Sequence, residues 1–327
     1  MSRPDSKLVL ALHIGRSGTE AAVVDIGADP WRVVGHPVRK EPQGKSQDGI
    51  IVRARQCADE VLQPHDKTAI LGTGISTPGQ LDAASGIVRV VPGIAWHDVD
   101  LSAMFSALPQ PLHVDNDARA AALVERYTGE GRGVGNLLVV NLNTGLSAGM
   151  VLDGKLHRGF RQISGEFGHQ TVDCSNAAPM CQCGNRGCLE VYASGWSLVR
   201  TASAFVTGIA SPTIVNKITS GTLSHLDIYE AARDGDSVCQ AMLADLGRYL
   251  GVGIAACLNL LGPEKVIISG SLAVAWPLFQ QFTLTEVTRR ALSEAQANVP
   301  IVMTTLGTNR DLLAAAAVFH HERQDRR

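Results

Sequence analysis

The sequence predicts an α/β fold with two domains, and three observations support this. Apolar runs of strand length alternate with stretches of helical period, as at residues 47–63 followed by 68–72. A unit of strand, Gly-containing loop and strand occurs at 14–24 and again at 136–152. The chain has 327 residues, which exceeds the usual size of one domain. We therefore expect two α/β halves of similar design.

Composition excludes several classes of protein. The chain is 45% hydrophobic and 18% charged with a net charge of −2, so no overall field attracts nucleic acid or an anionic membrane. The apolar run Leu8–Leu12 is broken by His13 and Gly15, which predicts a strand and not a signal peptide. No apolar run reaches the roughly 20 residues of a membrane span. Together with seven cysteines, an odd number, these features predict a cytoplasmic protein.

The N-terminal half reads as strands around one helix. Strands are predicted at 8–14, 20–26 and 30–38, a helix at 47–63 and a strand at 68–72, while 72–82 and 91–101 read as loops, the latter with Trp96 in a core. The turn Gly15–Gly18 joins the first two strands. Its backbone N–H groups could approach a phosphate, although a plain hairpin turn explains the same residues.

Two acidic residues flank an amide where a strand meets a helix. The strand 112–114 runs into Asp115, Asn116 and Asp117, and a helical stretch follows at once. Asp117 could cap the N–H groups of that helix or face a cleft, and the local sequence leaves both open.

The second half repeats the strand and loop pattern. The strand 136–141 is followed by the loop LNTGLSAG and a further strand, so two similar domains would close on one ligand, as in the actin-like phosphotransferases. Helices are predicted at 226–233, 237–261 and 311–321, and a strand at 266–268 that ends in a tight Ser-Gly-Ser turn. The predicted domains are 8–118 with the C-terminal helix (309–327), and 119–308.

The segment from Ser164 to Glu190 combines soft metal ligands with carboxylates. Gly184 and Gly187 lie among three cysteines, so the chain can fold back and bring the thiolates together with an upstream imidazole. The four predicted ligands are His169, Cys181, Cys183 and Cys188. A Cys₃His set is typical of a structural zinc site. A disulfide between two of the cysteines, or a group of reduced buried thiols, are the alternatives.

These motifs together resemble the ROK family of sugar kinases and sugar-responsive repressors. The resemblance rests on GEFGH followed by CQCGNRGCLE, preceded by VDNDARAAALVE and NTGLSAGMVLDGKLHRG, and it covers residues 8 to about 318. It implies an actin-like (ribonuclease H-like) two-domain ATPase fold of the sugar kinase type, a cleft for a hexose or N-acetylhexosamine, and a homodimer.

The resemblance also implies roles for individual residues. Asp117 would be the general base that takes the proton from the sugar hydroxyl attacking ATP. Asn116, Glu166, His169 and Glu190 would bind the sugar with it, His169 using its second ring nitrogen. The expected nucleotide-binding residues are Gly15, Ser17, Asn143, Thr144, Gly145 and Gly270. The loops around Gly79, Gly93 and Glu166 would determine which sugar is bound.

The sequence departs from the family's kinases at the nucleotide side. Their Asp-x-Gly-Gly-Thr loop aligns with His13 in place of Asp, Arg16 in place of the second Gly and Ser17 in place of Thr. Imidazole is a poor ligand for Mg²⁺. In the second loop Asn143, Ser147 and Ala148 stand where those kinases tend to carry Gly, and Ser269 with the Gly-poor LLAAAAV stretch weakens the adenosine side.

Two hypotheses remain. The first is an ATP- and Mg²⁺-dependent sugar kinase with an altered nucleotide site. The second is a sugar-binding sensor that has lost phosphotransfer, as in the family's repressors. Those repressors carry a winged helix-turn-helix, whereas about seven residues precede the first strand here, so we expect no DNA binding by this chain.

Overall fold

The computed structural model describes residues 6–15, 18–41, 47–91, 96–204 and 211–325. The chain divides into two compact units. Unit 1 comprises 1–133, 155–164 and 305–327, and unit 2 comprises 134–154 and 165–304. The division falls at Gly133, after helix 117–128, and not at the predicted 118/119, because this helix packs on the C-terminal helix of unit 1.

Unit 1 contains two sheets and four helices among its described residues. In chain order its elements are β1 (Leu8–Gly15), β2 (Gly18–Asp25), β3 (Arg32–Lys40), α1 (Gln47–Leu62), β4 (Ile70–Thr77), β5 (Gln80–Asp82), β6 (Ile87–Val91), β7 (Trp96–Asp100), α2 (Leu101–Met104), β8 (Leu112–Asn116) and α3 (Asp117–Thr128). The segment 155–164 adds the two-residue strand β11 (Lys155–Leu156), and the C-terminus forms α10 (Arg310–Asp325). Short 3₁₀ turns lie between several of these elements.

The main sheet of unit 1 has the strand order β3-β2-β1-β4-β8. The first three strands are antiparallel neighbours, whereas β4 runs parallel to both β1 and β8. Apolar residues of α1 pack on one face, and those of α3 and α10 pack on the other. The strands β5, β6 and β7 form a small antiparallel sheet. His13, Ser76 and Asp115 share one register row near the carboxyl ends of the three parallel strands, which therefore lie side by side.

The segment 72–77, predicted as a loop, instead completes β4. Its glycines make room for α10, because a Cβ on Gly74 would lie 2.0 Å from the carbonyl oxygen of Ala315. A Cβ on Gly72 would lie 2.4 Å from the Phe319 ring. Local turn propensity gave the wrong answer here because helix packing decides the conformation. The described part of 91–101 is likewise a strand, and Trp96 is buried as expected.

Unit 2 combines one sheet with a group of helices. Its elements are β9 (Leu137–Leu142), β10 (Leu146–Leu152), α4 (Gly195–Ala204), α5 (Pro212–Ser220), α6 (His225–Arg233), α7 (Ser237–Leu261), β12 (Lys265–Ser269), α8 (Trp276–Arg290), α9 (Ser293–Gln296) and β13 (Ile301–Met303). Within the unit the strands lie in the order β10-β9-β12-β13, with β9, β12 and β13 parallel. Sequence analysis predicted neither α4, α5 nor α8.

The long helix α7 is the central core helix of unit 2. It is the one helix in the described ranges whose length and composition would also suit a membrane span, but 61% of its apolar window is buried inside the protein. Gly247 and Gly251 pack against the backbone of α8, where a Cβ would lie within 2.7 Å of Phe279 O and 2.5 Å of Thr283 O. Its apolar period therefore serves internal packing.

Candidate sugar-binding and metal sites

Four soft ligand atoms converge in unit 2. The nitrogen and sulfur atoms of His169, Cys181, Cys183 and Cys188 all lie within 4.8 Å of one another. Cys183 Sγ lies 3.7 Å from Cys188 Sγ, and Cys181 Sγ lies 3.7 Å from His169 Nδ1. A tetrahedral centre with metal–sulfur bonds of about 2.3 Å separates its sulfur ligands by about 3.8 Å. The distances thus fit a metal ion, and all seven cysteines are free, which argues against the disulfide alternative.

Backbone geometry explains how this short segment reaches that arrangement. Cys181 N–H donates to Asn185 O and Gly184 N–H donates to Cys181 O, which forms a tight turn over 181–185 that contains the first two cysteines. Gly187 has φ +68°, and a Cβ there would lie 1.8 Å from Asp173 O. The predicted fold-back at glycine is therefore confirmed, and Gly187 cannot be replaced without moving the backbone.

Burial opposes charge on the cysteines. Burial raises the pKa of Cys181 to about 12, and it also raises the pKa of Cys188. Thiols of this kind stay neutral near pH 7 unless a cation stabilises the thiolate. The chemistry of this donor set, three sulfurs and one imidazole with no open position, fits a closed structural site for a soft divalent ion.

His169 links this cluster to the predicted sugar residue Glu166. Its Nδ1 faces Cys181, whereas its Nε2 lies 3.7 Å from Glu166 Oε2. The side chain of Glu166 is about half exposed. A metal on Nδ1 would fix the ring and leave Nε2 directed toward Glu166, as the resemblance implied.

Glu190, the third predicted sugar residue of unit 2, lies beside the second Gly-containing loop. Its Oε2 accepts the N–H of Leu146 at 2.9 Å, and a Cβ on Gly145 would lie 3.0 Å from the same oxygen. The loop and Glu190 therefore hold each other in place, which the sequence did not predict.

The predicted nucleotide residues of unit 2 form one connected group. Asn143 Oδ1 accepts the N–H of Ser271 at 2.5 Å, and its Nδ2 donates to Asn141. Thr144 O accepts from Trp196 N–H. Gly270 has φ +94° and packs on the backbone of Leu142, where a Cβ would lie 2.3 Å from the oxygen. Asn143, Thr144, Gly145 and Gly270 thus share one region, with the Asn143 side chain bonded across its two loops.

His225 belongs to this region and was missed by sequence analysis. Its Nε2 lies 2.9 Å from Ser271 Oγ. Burial lowers the pKa of His225, so the ring stays neutral at physiological pH. No motif marks this residue, which stands at the start of α6 and reaches Ser271 only through the fold.

In unit 1 the predicted residues lie at the ends of the parallel strands. Asn116 is the N-cap of α3, with its Oδ1 accepting the N–H of Ala118 and its Nδ2 donating to Gly79 O. Asp117 is the first residue of the helix, and its Oδ1 also accepts the N–H of Ala118. Asn116 thus occupies the N-cap position, and the two side chains share the N–H of Ala118.

The first Gly-containing loop is described in part. His13 Nδ1 lies 2.9 Å from Ser76 Oγ, and a Cβ on Gly15 would lie 2.7 Å from His13 Nε2. The imidazole therefore lies over Gly15, which ends β1. Ser17, predicted to bind nucleotide, its neighbour Arg16, and Gly93 lie outside the described residues.

Asp115 is the other residue that sequence analysis left without a role. It is fully buried and paired with Arg119 and Arg158. Its spacing from Arg119, four residues along the start of a helix, was the available signal. Of the predicted sugar-binding residues, Asn116 and Asp117 belong to unit 1, and Glu166, His169 and Glu190 belong to unit 2.

Similar proteins include both kinases and repressors. A glucokinase of Halalkalibacterium halodurans is 33% identical over 253 residues, which cover 76% of this chain and 74% of that protein. A xylose repressor of Caldicellulosiruptor bescii is 30% identical over 256 residues, which cover 78% of this chain and 64% of the repressor. The chain thus spans less than two thirds of the length of that repressor.

Solved structures divide in the same way. The structure of a ROK family glucokinase from Streptomyces griseus with glucose and AMPPNP matches with a TM-score of 0.82 at 28% identity, covering 94% of this chain and 98% of that one. A ROK family transcriptional regulator, a homologue of the E. coli MLC protein, matches with a TM-score of 0.80 at 27% identity, over 96% of this chain and 78% of that one. These matches confirm the predicted actin-like fold of the sugar kinase type. The ROK family model matches residues 9–322, and this chain therefore belongs to the ROK family.

Proposed function

We propose that this protein binds a hexose or an N-acetylhexosamine and transfers the γ-phosphoryl group of ATP to one of its hydroxyls. Asp117 would be the general base. The observation that carries this proposal is that Asn116 is the N-cap of α3, so capping is a weak explanation for a second acid at the first helical position. A carboxylate at the end of a parallel strand is well placed for a base, since ligands bind at that edge of α/β sheets.

The sugar would also contact Asn116, Glu166, His169 and Glu190. Zinc is the proposed ion of the Cys₃His cluster, where it would be structural and would orient the His169 ring. This supports rigid recognition, because a side chain held by a metal loses little freedom on binding. ATP would approach Gly15, Ser17, Asn143, Thr144, Gly145 and Gly270, with Mg²⁺ held mainly by phosphates and water.

A second candidate function is a sugar sensor without phosphotransfer, and two observations favour it. His13 replaces the carboxylate of the kinase loop, and its ring is bonded to Ser76. The Asn143 side chain bonds the Ser271 N–H, so an amide occupies the region where phosphates would need close backbone approach. Either change weakens the binding of Mg-ATP, and neither affects the sugar residues.

The test is a calorimetric titration with glucose, N-acetylglucosamine, N-acetylmannosamine and fructose, each with and without Mg-ATP, with sugar phosphate assayed in the same sample. Sugar binding with product formation supports the kinase. Sugar binding without product or ATP heat supports the sensor. Binding of none of these sugars would contradict both.

Variants test the role of Asp117 and the effect of the altered nucleotide loops. Asp117→Asn should abolish product formation while the protein stays folded. If the native site is a weakened kinase, His13→Asp together with Asn143→Gly should raise the rate of phosphorylation by at least about tenfold, because Mg²⁺ prefers carboxylate oxygen and the loop regains backbone access. A sensor that lost catalysis by these two changes alone would also gain product, whereas unchanged inactivity would place the defect elsewhere.

The proposal extends to the state of the protein. We expect a cytoplasmic homodimer that binds a small sugar and does not bind nucleic acid by itself. Light scattering of the purified chain at micromolar concentration would give the mass of a dimer, or of a monomer if this expectation is wrong.

A further inference from the structure

A buried carboxylate lies two residues before the proposed catalytic residue Asp117, at the turn between β8 and α3. Asp115 is fully buried and immediately precedes Asn116 and Asp117. Its Oδ1 accepts Arg119 Nε at 2.5 Å and the Asn116 N–H at 2.7 Å. Its Oδ2 accepts Arg158 Nη2 at 2.9 Å and Nε at 3.2 Å. Both oxygens are thus occupied by charged or backbone donors.

The two arginines connect this carboxylate to three other parts of unit 1. Arg119 Nη1 donates to Gln162 O at 2.7 Å. The Gln162 side chain in turn bonds Asp82 and the N–H of Ala83, at the end of β5. Arg158 Nη2 donates to Glu322 Oε1 on α10 at 2.6 Å. The turn that bears Asp117 is therefore tied to β5, to the segment 158–162 and to the C-terminal helix.

The segment held by these bonds is strained. Arg161 and Gln162 have φ of 54° and 58°, in the left-handed region that non-glycine residues seldom adopt. Such strain persists only where surrounding contacts over-determine the backbone, and it concentrates at functional sites. The contacts from Arg119 to Gln162 O and from Gln162 to Asp82 are of this kind.

Stability alone does not account for the network. Asp115 is fully buried and Arg119 is 3% exposed, so the pair bears a large cost of desolvation. Replacing such buried ions by apolar residues of similar volume is often neutral or stabilising. The positive charges of Arg119 and Arg158 also balance the negative charges of Asp115 and Glu322. The network therefore has no net charge, although Asp115 lies only two residues from Asp117. A balanced, rigid set of ions suits a site where one further carboxylate must remain ionised and oriented.

We propose that Asp115, Arg119 and Arg158 are positioning residues for Asp117. They hold the turn between β8 and α3 in place, and their balanced charge sets the pH range in which Asp117 accepts a hydrogen bond from the sugar. This inference rests on the proposed function, in which Asp117 contacts the sugar. It extends that function by assigning the network a task that the resemblance did not imply.

Because the charges balance, removing a positive or a negative group should shift the pH dependence of sugar binding in opposite directions. Arg158→Met leaves one excess negative charge, which should move the acid limit of sugar binding to higher pH. Glu322→Gln leaves one excess positive charge, which should move it to lower pH. Each shift should be about half to one pH unit, smaller than the roughly 1–3 units that a charge in direct contact produces, because Arg158 and Glu322 reach Asp117 only through Asp115. A purely structural network would give no dependence on the sign of the charge removed.

The experiment measures the sugar dissociation constant of each variant from pH 4 to pH 8 by calorimetry, with the sugar that the wild type binds best. Arg158→Lys keeps the charge but loses the two-pronged contact, so affinity should fall several-fold at an unchanged midpoint. Asp117→Asn should remove the part of the acid limit that comes from Asp117, and the remaining limit would come from Glu166 and Glu190, the other carboxylates of the proposed sugar site. Arg132→Met, which breaks an exposed ion pair with Asp29 in the same unit, is the matched control and should change nothing.

The outcomes separate the two proposals. Opposite shifts for Arg158→Met and Glu322→Gln support the positioning role. Shifts of the same sign, or midpoints equal to that of the wild type, overturn it while the sugar site stands. If the wild type binds no sugar, the proposed function falls and the inference falls with it. Because Glu322 is partly exposed and lysine preserves charge, Glu322→Gln and Arg158→Lys keep the test decisive should Arg158→Met fail to fold.

Discussion

Replacement of Gly74 by alanine has two opposing effects of different size on the free energy of unfolding. Alanine in a strand loses less conformational freedom on folding than glycine, and this favours the variant by about 0.5–1 kcal/mol. The added Cβ, however, would lie 2.0 Å from Ala315 O and 2.9 Å from Ala315 C. Ordinary contacts between such atoms are about 3.5 Å, so α10 must retreat by more than about 1 Å.

That retreat is costly because α10 is buried continuously from Leu312 to Phe319. Leu312, Ala315 and Phe319 are almost completely inaccessible, and the obstructing atom is a backbone oxygen that no rotamer change can move. Overpacking of a close-packed core costs about 1–3 kcal/mol and sometimes more. We expect a net loss of about 2–3 kcal/mol, which for a domain of this size corresponds to about 4–12 °C in Tm.

Urea denaturation and calorimetry of Gly74→Ala would measure this loss. Gly135→Ala is the matched control, because its methyl group would meet only the movable carboxylate of Glu264 at 3.0 Å, and its Tm should stay within about 1 °C. A Gly74→Ala protein as stable as the wild type would refute the packing argument and restore the loop reading of residues 72–77.

Three further predictions concern the metal cluster and the surface of unit 1. Cys183→Ser should reduce bound zinc from one ion per chain to well below one, because only three ligands remain; metal analysis checks this, with exposed Cys174→Ser as the control that keeps its zinc. Gly187→Ala should also lower zinc content, since its Cβ would lie 1.8 Å from Asp173 O, whereas full zinc occupancy in this variant would contradict the fold-back geometry. Burial beside Trp31 and Tyr127 lowers the pKa of His320 to about 4 from 6.5, so the unfolded chain binds the proton more readily and stability falls as pH drops from about 6.5 to 4. His320→Phe should remove about 1–2 kcal/mol of that loss, allowing for partial solvent contact, while exposed His36→Gln should leave the pH profile of unfolding unchanged.

The sequence by itself determined the family, the α/β class and the composition of the metal cluster. Three cysteines and a histidine around Gly184 and Gly187 favour a metal site at that spacing, since glycine permits the fold-back and sulfur and imidazole are soft ligands. Long periodic elements were equally clear. The helix 237–261 was predicted to the residue, because its apolar period and the Gly-Pro stop are local signals.

Tertiary structure decided what depends on contacts between distant residues. Residues 72–77 are a strand because α10, more than 200 residues later, packs on its glycines. His225 reaches Ser271, and Arg158 reaches Asp115 and Glu322, across separations that no periodicity encodes. Asn143 looked like a lost glycine in sequence, whereas in the structure its amide bonds the Ser271 N–H. A local sequence pattern indicates which polar groups are present, but tertiary packing determines which of them meet. A buried polar group needs a hydrogen-bond partner, and only the fold decides which partner lies within reach.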